Sequence, residues 1–184
     1  MKHRIIKRVA LAIGALFAVG ALTGSAAAVL TADAGGAELR VDKRTNNVPS
    51  ATRSLTFVDL PGANVLVRVP ANQSRLYDVP FFAESSCSWP GSGGHCSVRI
   101  IATNIANGAS VELNPVAGLD YAFDSDPTPG AVNDNREGHG MERSRRLFGG
   151  ANGTTYRIRV QYAVTNVNIP FILDDWHLAV HTNQ

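Results

Sequence analysis

Residues 155–164 alternate without a break. Tyr156, Ile158, Val160, Tyr162 and Val164 fall on one side, Arg157, Arg159 and Gln161 on the other. A period of two places successive side chains on opposite faces of a β-strand, whereas a helix would scatter these apolar residues around its circumference. The pattern recurs. Val65, Val67 and Val69 share a face, as do Tyr77, Val79, Phe81 and Ala83, and again Cys96, Val98, Ile100 and Ala102. Towards the end of the chain Ile172, Trp176, Leu178 and Val180 are read as one face of a long strand, with Asp174 interrupting it.

Glycine and proline mark the turns between these runs. Pro61-Gly62 closes a first strand over residues 54–59, residues 70–74 turn the chain again, Asn107-Gly108 signals a hairpin, and residues 149–153 can only turn. Pro80, inside an alternating run, points to an edge strand or a bulge. Residues 140–147 read as a strand with a polar face, and residues 114–138 as an irregular crossing. No helix of ten or more residues is expected after the N-terminal region. About eight short strands joined in this way make an all-β protein. The long irregular stretch favours a single jelly-roll-like antiparallel β-sandwich over a meander.

The N-terminus carries a different message. Lys2, Arg4, Lys7 and Arg8 precede an apolar run over residues 9–22, and both Ala26-Ala27-Ala28 and Ala32-Asp33-Ala34 suit signal peptidase. The run is shorter than the roughly 20 residues that span a bilayer. Residues 1–28 are therefore read as a signal peptide, with cleavage as late as residue 34. The exported chain then has no stable membrane span and is secreted. Residues 29–52 are polar and aperiodic and read as a flexible leader, and residues 53–184 as the sandwich.

With 184 residues the chain can bury one sizeable core. Its formal charge of +2 comes from the four basic residues of the first eight; without residues 1–28 there remain 13 basic and 15 acidic residues, near −2. That balance gives no electrostatic footprint for nucleic acid.

Cys87 and Cys96, the only two cysteines, bracket a loop with three glycines and a proline. In an exported protein they are expected to form a disulfide. The competing zinc site would have only His95 in addition, one ligand short of a closed set.

Several segments taken together resemble a family of secreted β-sandwich proteins of actinobacteria that has no assigned activity. They are Phe57-Val58-Asp59-Leu60-Pro61-Gly62, Phe82-Ala83-Glu84-Ser85, Cys96-Ser97-Val98-Arg99-Ile100, Met141-Glu142-Arg143-Ser144 and Leu173-Asp174-Asp175-Trp176-His177-Leu178. The alternation is similar, more distantly, to jelly rolls of the complement-C1q and tumour-necrosis-factor kind. The resemblance implies secretion and a sandwich and transfers no chemistry.

Candidate chemistry is sparse. Asp120, Asp124 and Asp126 could offer oxygens to Ca²⁺, although the spacing lacks the glycine and terminal glutamate of a helix-loop-helix calcium loop. Asp174, on an apolar face, needs a partner, and Arg99 or Arg143 could supply it; the alternative is a catalytic acid. His95, His139 and His177 fall in no nucleophile-elbow or zinc-protease motif. Trp89, in the cysteine loop, is the leading binding candidate, with Tyr77 and Tyr121 as companions. The expected function is that of a secreted, non-catalytic domain, extracellular and binding or structural. Its ligand is open, with an extracellular carbohydrate or a surface protein in view. Alternatives are a carbohydrate- or cell-surface-polymer-binding module and, behind it, a secreted hydrolase. Homo-oligomerisation also stays open, and no cofactor other than calcium is suggested.

Overall fold

The computed structural model of the chain describes residues 34–87, 93–116, 118–125 and 136–184. Nine strands follow in order: Glu38–Asn46 (β1), Ser50–Thr52 (β2), Val58–Val69 (β3), Ser74–Cys87 (β4), Cys96–Asn104 (β5), Ser110–Glu112 (β6), Glu137–Phe148 (β7), Thr154–Val164 (β8) and Phe171–Asn183 (β9). Among the described residues the one helical element is a 3-10 turn at Gly118–Asp120.

One sheet runs β1-β9-β4-β7, with β2 pairing farther along β9; the other runs β3-β8-β5-β6. All pairs are antiparallel. From β3 to β9 the chain changes sheet at every step except the β5–β6 hairpin. This is a jelly-roll sandwich, in agreement with the fold class read from the alternation.

The apolar faces meet between the sheets. Tyr77, Val79, Phe81 and Ala83 of β4 and Trp176, Leu178 and Val180 of β9 are buried against Val98, Ile100 and Ala102 of β5 and Ile158, Val160 and Tyr162 of β8.

Four local expectations are corrected. The segment read as a flexible leader is structured over much of its length: Glu38–Asn46 pairs with the second half of β9, and Ser50–Thr52 with its start. Its polarity reflects its place along the edge of the sheet, where one row of backbone groups has a partner and most side chains stay wet. Pro61-Gly62 does not end a strand. β3 continues through it, and the register with β8 shifts between Asp59 and Asn64. Gly62 takes a left-handed φ of 78°, which lets Leu60 and Ala63 both turn inward.

Pro80 lies in neither an edge strand nor a bulge, since β4 runs between β9 and β7 and keeps its register with both through this position. The β9 partners are Asp78 and Phe81, so the missing N–H of Pro80 falls in a gap of that ladder. The fourth correction concerns β9. Between Phe82 and Glu84 of β4, β9 contains one extra residue, and Asp175 has a φ of 42°. This bulge breaks the period, so Phe171 and Leu173, rather than Ile172, share the buried side with Trp176.

The bulge also decides the fate of Asp174. It is 7% exposed, its Oδ1 accepts from the Asp175 N–H at 2.9 Å, and its Oδ2 is paired with Arg136. The expected partners are engaged elsewhere. Arg99 lies on the outer face of the second sheet, donating to Gln161 Oε1 at 2.9 Å and stacking on Phe57 at 4.1 Å. Arg143 stacks on Tyr121.

Candidate functional site

The cysteine-loop end comes first, because most candidates cluster there. Cys87 and Cys96 are bonded, with S–S 2.07 Å and Cα–Cα 5.9 Å, so the thiolates a zinc site would need are consumed. Cys87 ends β4 beside Phe171 of the first sheet, and Cys96 opens β5 beside Val164 of the second. The bond therefore links the two sheets.

Beside it, the chain between β6 and β7 docks on Cys96. The Cys96 N–H donates to Asp124 O and the Phe123 N–H to Cys96 O, both at 2.9 Å. Phe123 enters the core against Phe81, His139 and Phe171. That docking sets up a polar group: Ser85 Oγ lies 2.6 Å from Asp124 Oδ2 and 2.8 Å from His139 Nδ1. A carboxylate can only accept, so the Ser85 hydroxyl donates to Asp124 and must accept from His139. Nδ1 therefore carries the proton. The order is Asp–Ser–His with serine in the middle and 1% exposed. Nucleophilic catalysis needs the histidine in the middle with a lone pair facing the hydroxyl. Ser85 is thus a structural hub joining β4, β7 and the crossing segment.

The calcium candidates fall in this segment. Asp120 is exposed at the end of the 3-10 turn, Asp124 is engaged by Ser85, and Asp126 lies outside the described residues. Among the described residues there is no group of three His, Cys, Asp or Glu side chains able to hold a metal ion.

Trp89 also lies outside the described residues, whereas its proposed companions, Tyr121 and Tyr77, lie within them. Tyr121 is half-buried with the Arg143 guanidinium over its ring at 4.5 Å, which makes it a cover for the core. Tyr77 stands ten residues before Cys87 on β4, about 33 Å away at 3.3 Å per residue. It is completely buried.

Tyr77 instead belongs to a site at the opposite end, which the sequence did not reveal. In register across the first sheet lie Arg40 of β1, Thr182 of β9 and Tyr77 of β4. With Leu39 and Asp42 of β1, Leu66, Val67 and Arg68 of β3, and Pro70, Arg75 and Thr155, they line a cleft of about 440 Å³ where the β1 and β3 edges face each other. Arg40 and Asp42 are paired at 2.6 Å. Arg68 donates to Asn152 O at 3.0 Å, and Arg75 to Ser74 O at 2.8 Å and to Gln73 Oε1.

The Tyr77 hydroxyl is buried without a hydrogen-bond partner. Burial pushes its pKa up to about 12, so it remains a neutral donor. An orphan buried hydroxyl is costly unless something satisfies it. The one trace of this site in the sequence is the alternation of Leu39 and Val41 with Arg40 and Asp42, inside a segment whose polarity suggested a leader.

No protein-family model matches the chain, and no curated protein matches it. Among solved structures it is similar to the VP2 subviral particle of infectious bursal disease virus (TM-score 0.39, 12% identity), covering 90% of this chain and 37% of that one. A second structure, of T=1 particles derived from the same virus, gives a TM-score of 0.40 and 13% identity, with 90% and 36% covered. Dimeric latent PorU from Porphyromonas gingivalis gives 0.27 and 14%, with 82% and 14% covered. This chain thus spans little more than a third of the length of the viral proteins. These likenesses are too loose to carry a function.

Proposed function

We propose that this chain is a secreted, non-catalytic binding domain that works through the cleft between β1 and β3. The carrying observation is the Tyr77 hydroxyl, buried in the lining of a concave site and unpartnered. Binding sites of this kind combine apolar walls with a few convergent polar groups, here Leu39, Leu66 and Pro70 beside the arginines, Asp42 and two threonines. Hydroxyl-rich ligands suit such a lining, which favours the carbohydrate- or cell-surface-polymer-binding form of the reading over a protein partner. The serine-centred order of Asp124, Ser85 and His139 supports binding over hydrolysis. Export is supported by the N-terminal sequence and by the disulfide, a bond that persists in oxidising compartments. Among the described residues no helix is long and apolar enough to cross a membrane.

The test is a calorimetric screen of the whole exported chain against soluble oligosaccharides, neutral and acidic, repeated on Thr182→Trp, which fills the cleft. A ligand that binds the native chain and is lost in the filled variant is expected. A ligand unaffected by the filling would move the site elsewhere, and no ligand across the panel would overturn the reading.

A further inference from the structure

The cleft has a charge imbalance that narrows its ligand. Arg40, Arg68 and Arg75 line it, and Asp42 is the one carboxylate among the lining residues. Asp42 is taken by Arg40, whose guanidinium is largely solvent-exposed. Arg68 and Arg75 have only neutral oxygens as acceptors: a backbone carbonyl for Arg68, and a backbone carbonyl and an amide oxygen for Arg75. Two guanidiniums without a carboxylate thus flank a partly enclosed, partly apolar space, where a charge-assisted hydrogen bond is worth about twice a neutral one.

We infer that the cleft selects an acidic saccharide, a pyranose chain bearing ring carboxylates such as a uronic-acid oligomer. This rests on the binding reading above. Each part of the lining has a counterpart in that ligand. The planar guanidinium fork of Arg68 or Arg75 matches a carboxylate in two-point fashion. The hydroxyls of Thr155 and Thr182 and the carboxylate of Asp42 match sugar hydroxyls. Leu39, Leu66 and Pro70 match the C–H face of a pyranose ring. Tyr77, a donor with no acceptor, gains one from a ring or carboxylate oxygen. A neutral glycan would leave the two arginines no better satisfied than before. An inorganic anion would leave the apolar wall and the hydroxyls unused.

The experiment compares one oligosaccharide in two forms, tri-galacturonate and its fully methyl-esterified counterpart, titrated calorimetrically against the full chain. The ester keeps the shape and removes the charge. The acid is expected to bind at least about tenfold more tightly, the difference between a charged and a neutral hydrogen-bonded contact. Raising the salt should narrow that ratio, and Arg75→Gln should shrink it while circular dichroism stays unchanged. Tyr77→Phe should weaken both forms. Equal affinity for the two forms, or preference for the ester, would overturn the inference while leaving a binding cleft in place. Binding of neutral oligosaccharides alone, lost in Thr182→Trp, would do the same. An acid preference untouched by both Arg75→Gln and Thr182→Trp would place the anion outside the cleft and overturn it as well. No saccharide binding of any kind would defeat both this inference and the reading beneath it.

Discussion

Phe82 and Gly140 are cross-strand partners on β4 and β7, and the phenyl ring of Phe82 fills the space that a side chain at position 140 would need. The ring is 55% exposed, so what holds it is the bare backbone beneath it. Gly140→Val should therefore destabilise the native chain, and do so less when Phe82 is already alanine. A coupling of about 0.5–1 kcal/mol is expected from a double-mutant cycle by urea denaturation, the scale of cross-strand pairs. Strictly additive effects would show that the two positions do not share this space.

Trp176 tests the inter-sheet core. It is 2% exposed, and its indole edge lies 3.7 Å from where a Cβ on Gly62 would stand. Trp176→Ala should cost about 3–5 kcal/mol through lost burial and the cavity left behind. Trp176→Phe should cost clearly less, because the indole N–H it removes has no hydrogen-bond partner in the core. Equal losses for the two variants, read from chemical denaturation, would contradict the orphan N–H.

Reducing the Cys87–Cys96 bond opens a small loop, for which chain entropy gives a loss of about 2–3 kcal/mol. The strands on either side carry their own apolar faces, so the far-ultraviolet β signal of the folded protein should persist. Denatured, unreduced protein should show no titratable thiol; two thiols would contradict the bond.

Tyr77 makes stability depend on alkaline pH. Its phenol is raised by burial from an ordinary 10.0 to about 12. Below pH 10 both folded and unfolded chains keep the proton, and the full contribution is present. Above it the unfolded chain ionises first, so stability falls as pH rises from 10 through 12. Tyr77→Phe should flatten this fall and leave stability at neutral pH unchanged or slightly higher, since no hydrogen bond is lost. Tyr162, also raised by burial, keeps a residual slope. An unchanged alkaline limb in thermal melts would show that Tyr77 does not titrate in this way.

The fold was legible wherever one strand carried its own signal. Alternation at Tyr156 through Val164 and at Tyr77 through Ala83 needed no partner to be read, and both faces are turned to the core as expected, with only Tyr156 partly exposed. Position 175 was not legible, because a non-glycine residue at a φ of 42° leaves no mark in the sequence, yet it swaps Ile172 for Leu173 on the buried side. Strand β1 was missed for a related reason: its stability comes from the edge of β9, not from its own composition. The candidate sites failed on distance. Tyr77 and the cysteine loop are close in sequence and far apart along a rigid strand. Ser85, Asp124 and His139 are distant in sequence and meet only because the segment before β7 docks on Cys96.

The disulfide joins opposite sheets at one end of the sandwich, and the cleft lies at the other. The cleft end is also tied from sheet to sheet: residues 70–73 carry the chain from β3 to β4 and residues 149–153 from β7 to β8. These two turns are bonded to each other, Asn72 N–H to Gly150 O at 3.2 Å and Gly149 N–H to Gln73 O at 2.9 Å. The sandwich is thus closed like a box at both ends, by sulfur at one and by main chain at the other. The spacing of the cleft walls is set by the fold rather than by a free margin.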